Sequence, residues 1–372
     1  MSFALPLGAQ SPTASPFVSR NNVLPQTTTG PAVIPTASPQ HEHSGEETAV
    51  ALPFAQSSQS FIYRTVGDNA LRLFMIKPSN KGKKGVWKQG GASPCIIVFS
   101  TTAWNKGTPR GSQFWVYPFG KYSTPPRYGV VGIIPDFRTK GRFNGTPEDC
   151  ISDARAAVRW VQEHSYELGI DPAKVVCLGV DAGGVMAAWT AFPKKGPGKD
   201  DPGAPEKQPC GIILVSSIID TKRLAKGSFG GSEQRAEAVS LLDQLPESMP
   251  PTLLLHGKAD KISPFEDAES LKKQIKANGG DVDLVQIKNE KLGHNFFTKH
   301  ADPSGDSFKQ TTGEISKFIT KKLGLVKEDT VKTKVKNALA KLKKTQKPGA
   351  KDDDSIDDDL NEEEEGGDDG GE

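Results

Sequence analysis

A mostly parallel α/β sheet with helices on both faces, entered through an antiparallel hairpin, is the fold class this sequence predicts. Three observations predict it. Short runs rich in β-branched residues, mostly without alternation, recur between residues 61 and 287, as strands covered on both faces require. Helical periodicity fills the gaps between them, and that alternation implies crossover helices packed on a parallel sheet. The first two runs instead face each other across Gly67-Asp68-Asn69, a hairpin turn.

In chain order, the strands are predicted over 61–66, 71–76, 95–99, 130–134, 175–180, 212–215, 253–255 and 282–287. Between the fourth and fifth, Thr146 offers a cap and Pro147 a first-turn proline. Ile151, Ala154, Val158 and Val161 then repeat at helical spacing, and Gly169 closes the helix. A second helix starts after Asp181, and a third runs from about 264 to 276 before Asn278-Gly279. Residues 59–324 therefore read as one α/β domain. Residues 1–58 are rich in Pro, Ser and Thr with Arg20 as the single base, so a disordered or extended tether is expected. The opening 3–9 stretch is similar to the end of a secretion signal, but it is short and lacks a basic head. It assigns no compartment.

Composition explains why the core occupies only part of the chain. Of 372 residues, 35% are hydrophobic, with 38 Gly and 28 Pro, and such dilution belongs to segments that never pack. No run of eighteen apolar residues occurs, which excludes a membrane-spanning helix. The net charge of +2 conceals an asymmetry: residues 352–372 hold thirteen acids and no base, leaving 47 bases against 32 acids before them. Residues 325–350 read as a basic amphipathic helix or linker, with Val331, Val335, Ala338, Leu339 and Leu342 on one face, and 351–372 as an acidic disordered tail. Two readings of the tail stay open. One is a solvated polyampholyte, the other a contact with an anionic surface or a partner protein, the acidic run competing in cis. Four cysteines make no disulfide scaffold, and Cys95, Cys177 and Cys210 fall in or at the start of strand-like runs as small hydrophobes. No zinc spacing, dinucleotide fingerprint, P-loop or specific nucleic-acid motif appears, so no metal and no cofactor is expected. His41 and His43 lie in the tether.

The chemistry concentrates at the ends of three strands. Residues 175–188 read as strand, small-residue turn and helix, with the spacing Gly179-x-x-x-Gly183 around Asp181. A G-x-S-x-G turn of this kind lifts a nucleophile clear of a sheet, and here Asp stands where Ser is expected. Downstream, Leu255-His256-Gly257-Lys258-Ala259-Asp260 ends in a carboxylate and Leu292-Gly293-His294-Asn295 presents an imidazole. The order nucleophile, acid, histidine is that of a hydrolase triad on an α/β sheet. His256 ends a buried strand and is assigned a supporting role at the acid loop.

With these residues in place, the sequence resembles the esterase and lipase branch of the α/β hydrolases, and bacterial acetyl-xylan and feruloyl esterase-like proteins in particular. The likeness rests on 147–161, on Leu168-Gly169-Ile170-Asp171-Pro172 and on Asp136-Phe137-Arg138, which is similar to the branch's D-Y-R segment. It spans roughly 95–300. By this resemblance the nucleophile position maps to Asp181, the acid to Asp260 and the base to His294. The oxyanion and substrate-binding positions map to Thr101, Thr102, Trp104 and the amide of Ala182. The family's H-G-G-G-W is replaced by Ser100-Thr101-Thr102-Ala103-Trp104. Glycine allows the left-handed backbone that such a loop uses, and β-branched Thr resists it. Losing one oxyanion donor costs roughly 10²–10³ in rate.

An aspartate at the elbow changes the reaction. A carboxylate is ionised at neutral pH without a base, and its attack on an ordinary ester yields an anhydride. Attack on an alkyl carbon bearing a leaving group gives an alkyl-enzyme ester that a His294-activated water hydrolyses. Asp-elbow dehalogenases and epoxide hydrolases resemble this arrangement. However, Ala182 follows the Asp where dehalogenases place Trp, and 182–250 lack the tyrosines of an epoxide-hydrolase cap. Three readings stay open: a pseudo-esterase that binds a small-molecule or carbohydrate ester-like ligand, or a partner; an Asp181-His294-Asp260 hydrolase; and an atypical esterase in which His294 acts on water directly. Trp115, Tyr117, Phe119 and Tyr122 are candidates for an aryl- or sugar-binding wall or for core packing.

Overall fold

A computed structural model describes residues 58–78, 90–116 and 129–326. The expectations for the N-terminal tether, the basic segment, the acidic tail, and Tyr117, Phe119 and Tyr122 fall outside the described residues. Eight strands form one sheet in the order β1-β2-β4-β3-β5-β6-β7-β8. They are β1 (Ser58–Val66), β2 (Asn69–Ile76), β3 (Ser93–Thr101), β4 (Val131–Pro135), β5 (Ile170–Asp181), β6 (Gly211–Val215), β7 (Thr252–His256) and β8 (Val282–Gln286). β1 and β2 pair antiparallel, β2 joins β4 antiparallel, and every pairing from β4 through β8 is parallel. This is the α/β-hydrolase fold, as the sequence predicts.

The unalternated strands are explained by two cores. On β3, Cys95, Ile97 and Phe99 face one cluster, which also takes Ile151 and Val158 of the helix Pro147–Glu163, Val185 of the helix Gly183–Trp189, and Leu271 of the helix Phe265–Ala277. Ile96 and Val98 face the other, with Trp115 of the helix Pro109–Val116 and Ile315 of the helix Asp306–Lys317. Trp115 is fully buried against Phe297 and Phe308, which assigns it to packing.

Local differences from the sequence reading have simple causes. β5 begins at Ile170, earlier than its apolar run, because Ile170 pairs with Ser93 before a register shift. The helix from Pro147 ends at Glu163, and Gly169 instead caps the separate short turn Ser165–Leu168 with φ 63°. Cys210 is half-buried, whereas Cys95 and Cys177 are fully buried, and all four cysteines are free.

The predicted cap at Thr146 is a reciprocal one: its hydroxyl accepts the Asp149 amide, and the Asp149 carboxylate accepts the Thr146 amide. Thr146→Ala is expected to cost about 1 kcal/mol, measured by urea denaturation.

Buried arginines tie the loop after Gly183–Trp189 to the sheet. Arg138 contacts Asp153 at 2.8 Å and Asp200 at 3.0 Å, and Arg64 of β1 reaches the same two carboxylates. Arg155 pairs with Asp201 at 2.8 Å, both side chains fully buried. The 194–208 stretch, rich in Pro, Gly and charged residues, is thus pinned by charged contacts from beneath.

Candidate active site

Backbone strain marks the site before any side chain does. The non-glycine residues Ala103 and Trp104 after β3, Asp181 at the end of β5, and Ser216 after β6 all take left-handed φ values of 45–61°. Each such residue costs on the order of 1–3 kcal/mol, and these lie together at the carboxyl ends of neighbouring strands. The connections leave β3 and β5 in opposite directions there, which is where open α/β sheets bind ligands.

The elbow glycines leave no room for alternatives. A Cβ on Gly179 would stand 2.2 Å from the Gly183 carbonyl oxygen, and one on Gly183 would stand 2.2 Å from that of Phe99. The strand and helix can meet this closely only with hydrogen at both positions, and the tight bend forces Asp181 into φ 54°.

Asp181, His294 and Asp260 come together. His294 Nδ1 donates to Asp260 Oδ2 at 2.8 Å, and its Nε2 lies 3.5 Å from Asp181 Oδ2. The latter distance makes an ion pair rather than an aligned hydrogen bond. Asp260 Oδ1 accepts the amides of Ile262 and Ser263. His256 Nε2 lies 2.7 Å from the Ser263 carbonyl and 3.1 Å from Asp260 Oδ2, which gives it the supporting role read from the sequence. Asp181 Oδ1 is buried and has no hydrogen-bond partner among the described residues.

These contacts set the charges. Burial raises the Asp260 carboxyl, but the hydrogen bonds from His256 and His294 and the His294 charge outweigh it and hold the group well below the ordinary carboxylate range. Burial pulls His294 down, yet Asp181 and Asp260 together outweigh that and push it up to about 9.

Ser216 is a member of this cluster that no sequence motif marks. Its hydroxyl donates to the His294 carbonyl at 2.5 Å and lies 3.2 Å from Asp260 Oδ2. The only available signal is a serine directly after a buried strand, on the edge where the acid and histidine loops also emerge.

The oxyanion loop departs from expectation. Thr101 remains in β3, opposite Asp181, with its hydroxyl on the Lys106 carbonyl. Thr102 is exposed and spends its amide on the same carbonyl at 2.8 Å, so that amide is not available as an oxyanion donor. The backbone turns left-handed one and two residues later, at Ala103 and Trp104, where no β-branch opposes it. The Trp104 indole packs inside the core, edge-on to Phe229 at 5.5 Å, so it is a packing group rather than a substrate-facing wall. Ala182 is fully buried at the start of the elbow helix.

The sheet order, the strained elbow and the acid–histidine loops are those of the α/β-hydrolase fold. Comparison with known proteins sharpens the class. The BD-FAE family model matches residues 87–220. The chain is 24% identical over 204 residues to the probable carboxylic ester hydrolase LipM of Mycobacterium tuberculosis and 28% identical over 124 residues to the carboxylesterase patB of Penicillium expansum. These alignments take in 50% and 29% of this chain, but only 46% and 21% of those relatives' lengths. Among solved structures, apo Thermogutta terrifontis esterase 2 superposes with a TM-score of 0.61 at 27% identity, covering 73% of this chain and 97% of that one. Its butyrate-bound form gives a TM-score of 0.60 at 26% identity over 73% and 96%. This chain is therefore an esterase-like protein of the α/β-hydrolase fold.

Proposed function

We propose that this protein is a pseudo-esterase: it keeps the esterase scaffold to bind a ligand, and has lost serine-type ester hydrolysis. The observation that carries the reading is the Asp181–His294 ion pair at 3.5 Å. Ester hydrolysis needs a hydroxyl at the elbow and a neutral imidazole to take its proton. The elbow supplies a carboxylate, and an imidazole pushed up to about 9 is protonated at neutral pH. The same protonation argues against His294 activating water directly. The ligand class that the scaffold suggests is a small molecule or a carbohydrate carrying ester-like groups, as the resemblance to acetyl-xylan and feruloyl esterase-like proteins implies.

The test is an assay on p-nitrophenyl acetate, acetylated xylan and a feruloyl ester. The wild type is expected to stay at background, and Asp181→Ser combined with Gly at 101–103 to gain acetyl-esterase turnover. Turnover by the wild type would overturn the reading. The intact 2.8 Å link from Asp260 to His294 supports a second reading, attack by Asp181 on an alkyl carbon. That reading predicts a stable ester on Asp181 in His294→Gln after incubation with alkyl halides or epoxides, seen as an intact-mass increment.

A further inference from the structure

We propose that the acidic tail, residues 352–372, docks in cis on a lysine-rimmed groove along the free edge of the sheet. The inference does not depend on the chemistry at the elbow.

β8 is the last strand of the sheet, and no strand pairs with its outer side among the described residues. A groove of about 390 Å³ opens there, with Leu284 and Val285 of β8 and Phe318 among its apolar lining. Five lysines also line it: Lys272 and Lys276 of the helix Phe265–Ala277, Lys317 at the end of the helix Asp306–Lys317, and Lys321 and Lys322 just beyond. Lys317 pairs with Glu314, and Lys322 with Asp281 and Asp283, each at 2.6 Å. Five lysines against these three carboxylates leave two positive charges in surplus. Lys276 is exposed, Lys272 is half-buried, and neither has an ion pair among the described residues. β8 itself carries no lysine, so these cations are not the guards that edge strands set against pairing.

The tail matches the groove in both respects. It holds thirteen acids and no base, and its two hydrophobic residues, Ile356 and Leu360, lie among the acids. The acids complement the lysine rim, and the two apolar side chains complement the floor. Distance allows the contact. Val326, the last described residue, is buried in the same apolar cluster as Phe318. Twenty-five residues separate it from Asp352, a tether reaching up to about 90 Å when extended. Being in the same chain raises the local concentration of the tail far above that of a separate acidic partner. The nine lysines of 327–351 are the competing site for the tail, and the experiment separates the two.

The full chain is treated with a carbodiimide, which joins an amine to a carboxylate in contact with it, and the monomer is mapped by peptide mass spectrometry. Lys272 and Lys276 are expected to be linked to carboxylates within 352–365. An equal mixture of isotope-labelled and unlabelled protein shows whether the links form within one chain. Raising the salt from about 0.05 M to about 0.5 M shortens the screening length about threefold, and should lower the yield at least about threefold. Ile356→Ser combined with Leu360→Ser keeps every charge, and should also lower it at least about threefold. Both substitutions lie outside the described domain, and the Lys322–Asp283 link within the domain is their internal control. Tail links only to lysines of 327–351, links only between separate chains, no tail link at Lys272 or Lys276, or a yield unmoved by either salt or the two substitutions would each overturn the proposal.

Discussion

Asp201→Asn is expected to cost the domain about 3–5 kcal/mol, because it strips the counter-charge from a guanidinium with no access to water. Arg155 projects from the helix Pro147–Glu163, and its Nε lies 2.8 Å from Asp201 Oδ1 with both side chains fully buried. The same guanidinium donates to the carbonyls of Trp189, Phe192 and Lys194. Trp189 ends the helix that starts at the elbow, so Arg155 adds a charged donor at the end of that helix, where the Trp189 carbonyl also accepts the Phe192 amide. Asp201 Oδ2 meanwhile accepts the amides of Gly196 and Gly203 and holds the loop closed. Denaturant unfolding measures the loss. Asp171→Asn is the control: its partner Lys174 is 41% exposed, and loss of such a surface pair costs less than about 1 kcal/mol. Similar losses in the two variants would show that the buried pair does not hold this part of the fold. Because Arg155 secures the far end of the elbow helix, Asp201→Asn should also loosen the Asp181–His294 contact, visible as an altered His294 ring signal by NMR.

The regular part of this structure was legible because burial leaves a simple trace in sequence. β3 is covered on both faces, so it shows an unbroken apolar run, and all eight strands were located by that rule or by the hairpin turn. Their ends were less legible. Residues 171–174 in β5 carry Asp, Pro and Lys, so the strand's extension to Ile170 depends on a pairing with Ser93 that no local pattern encodes. The same contrast runs through the site. Asp181, Asp260 and His294 were found because their order and their strand-end positions follow from the mechanics of the fold. Ser216 was missed because its role comes from a positive φ and a contact with a residue 78 positions away. The oxyanion loop was misplaced for a related reason. The sequence showed that threonine opposes a left-handed turn, but the chain answers by moving that turn to Ala103 and Trp104 and burying the indole behind it.

The elbow cluster should make stability fall on the alkaline side of neutrality as well as in acid, and the direction follows from the two groups. The folded pKa of His294 is raised to about 9, above the ordinary histidine value near 6.5. Folding therefore holds a proton that the unfolded chain releases earlier. The resulting stabilisation is complete below about pH 6.5 and is lost as pH rises to about 9, a span worth roughly 3 kcal/mol. Asp260 works the other way. Its folded pKa is depressed, so its contribution is present above about pH 4 and is lost as pH falls below that. Denaturant unfolding at about pH 6.5 and pH 9.5, spanning the shift, should show the alkaline loss in the wild type. In His294→Gln, other alkaline titrations persist while this one is removed, so the difference between the two proteins isolates the imidazole. An identical pH dependence in both would mean that His294 is not held as an imidazolium by its two carboxylates. The pseudo-esterase reading would then lose its main physical support, since a neutral imidazole beside the elbow is a competent base.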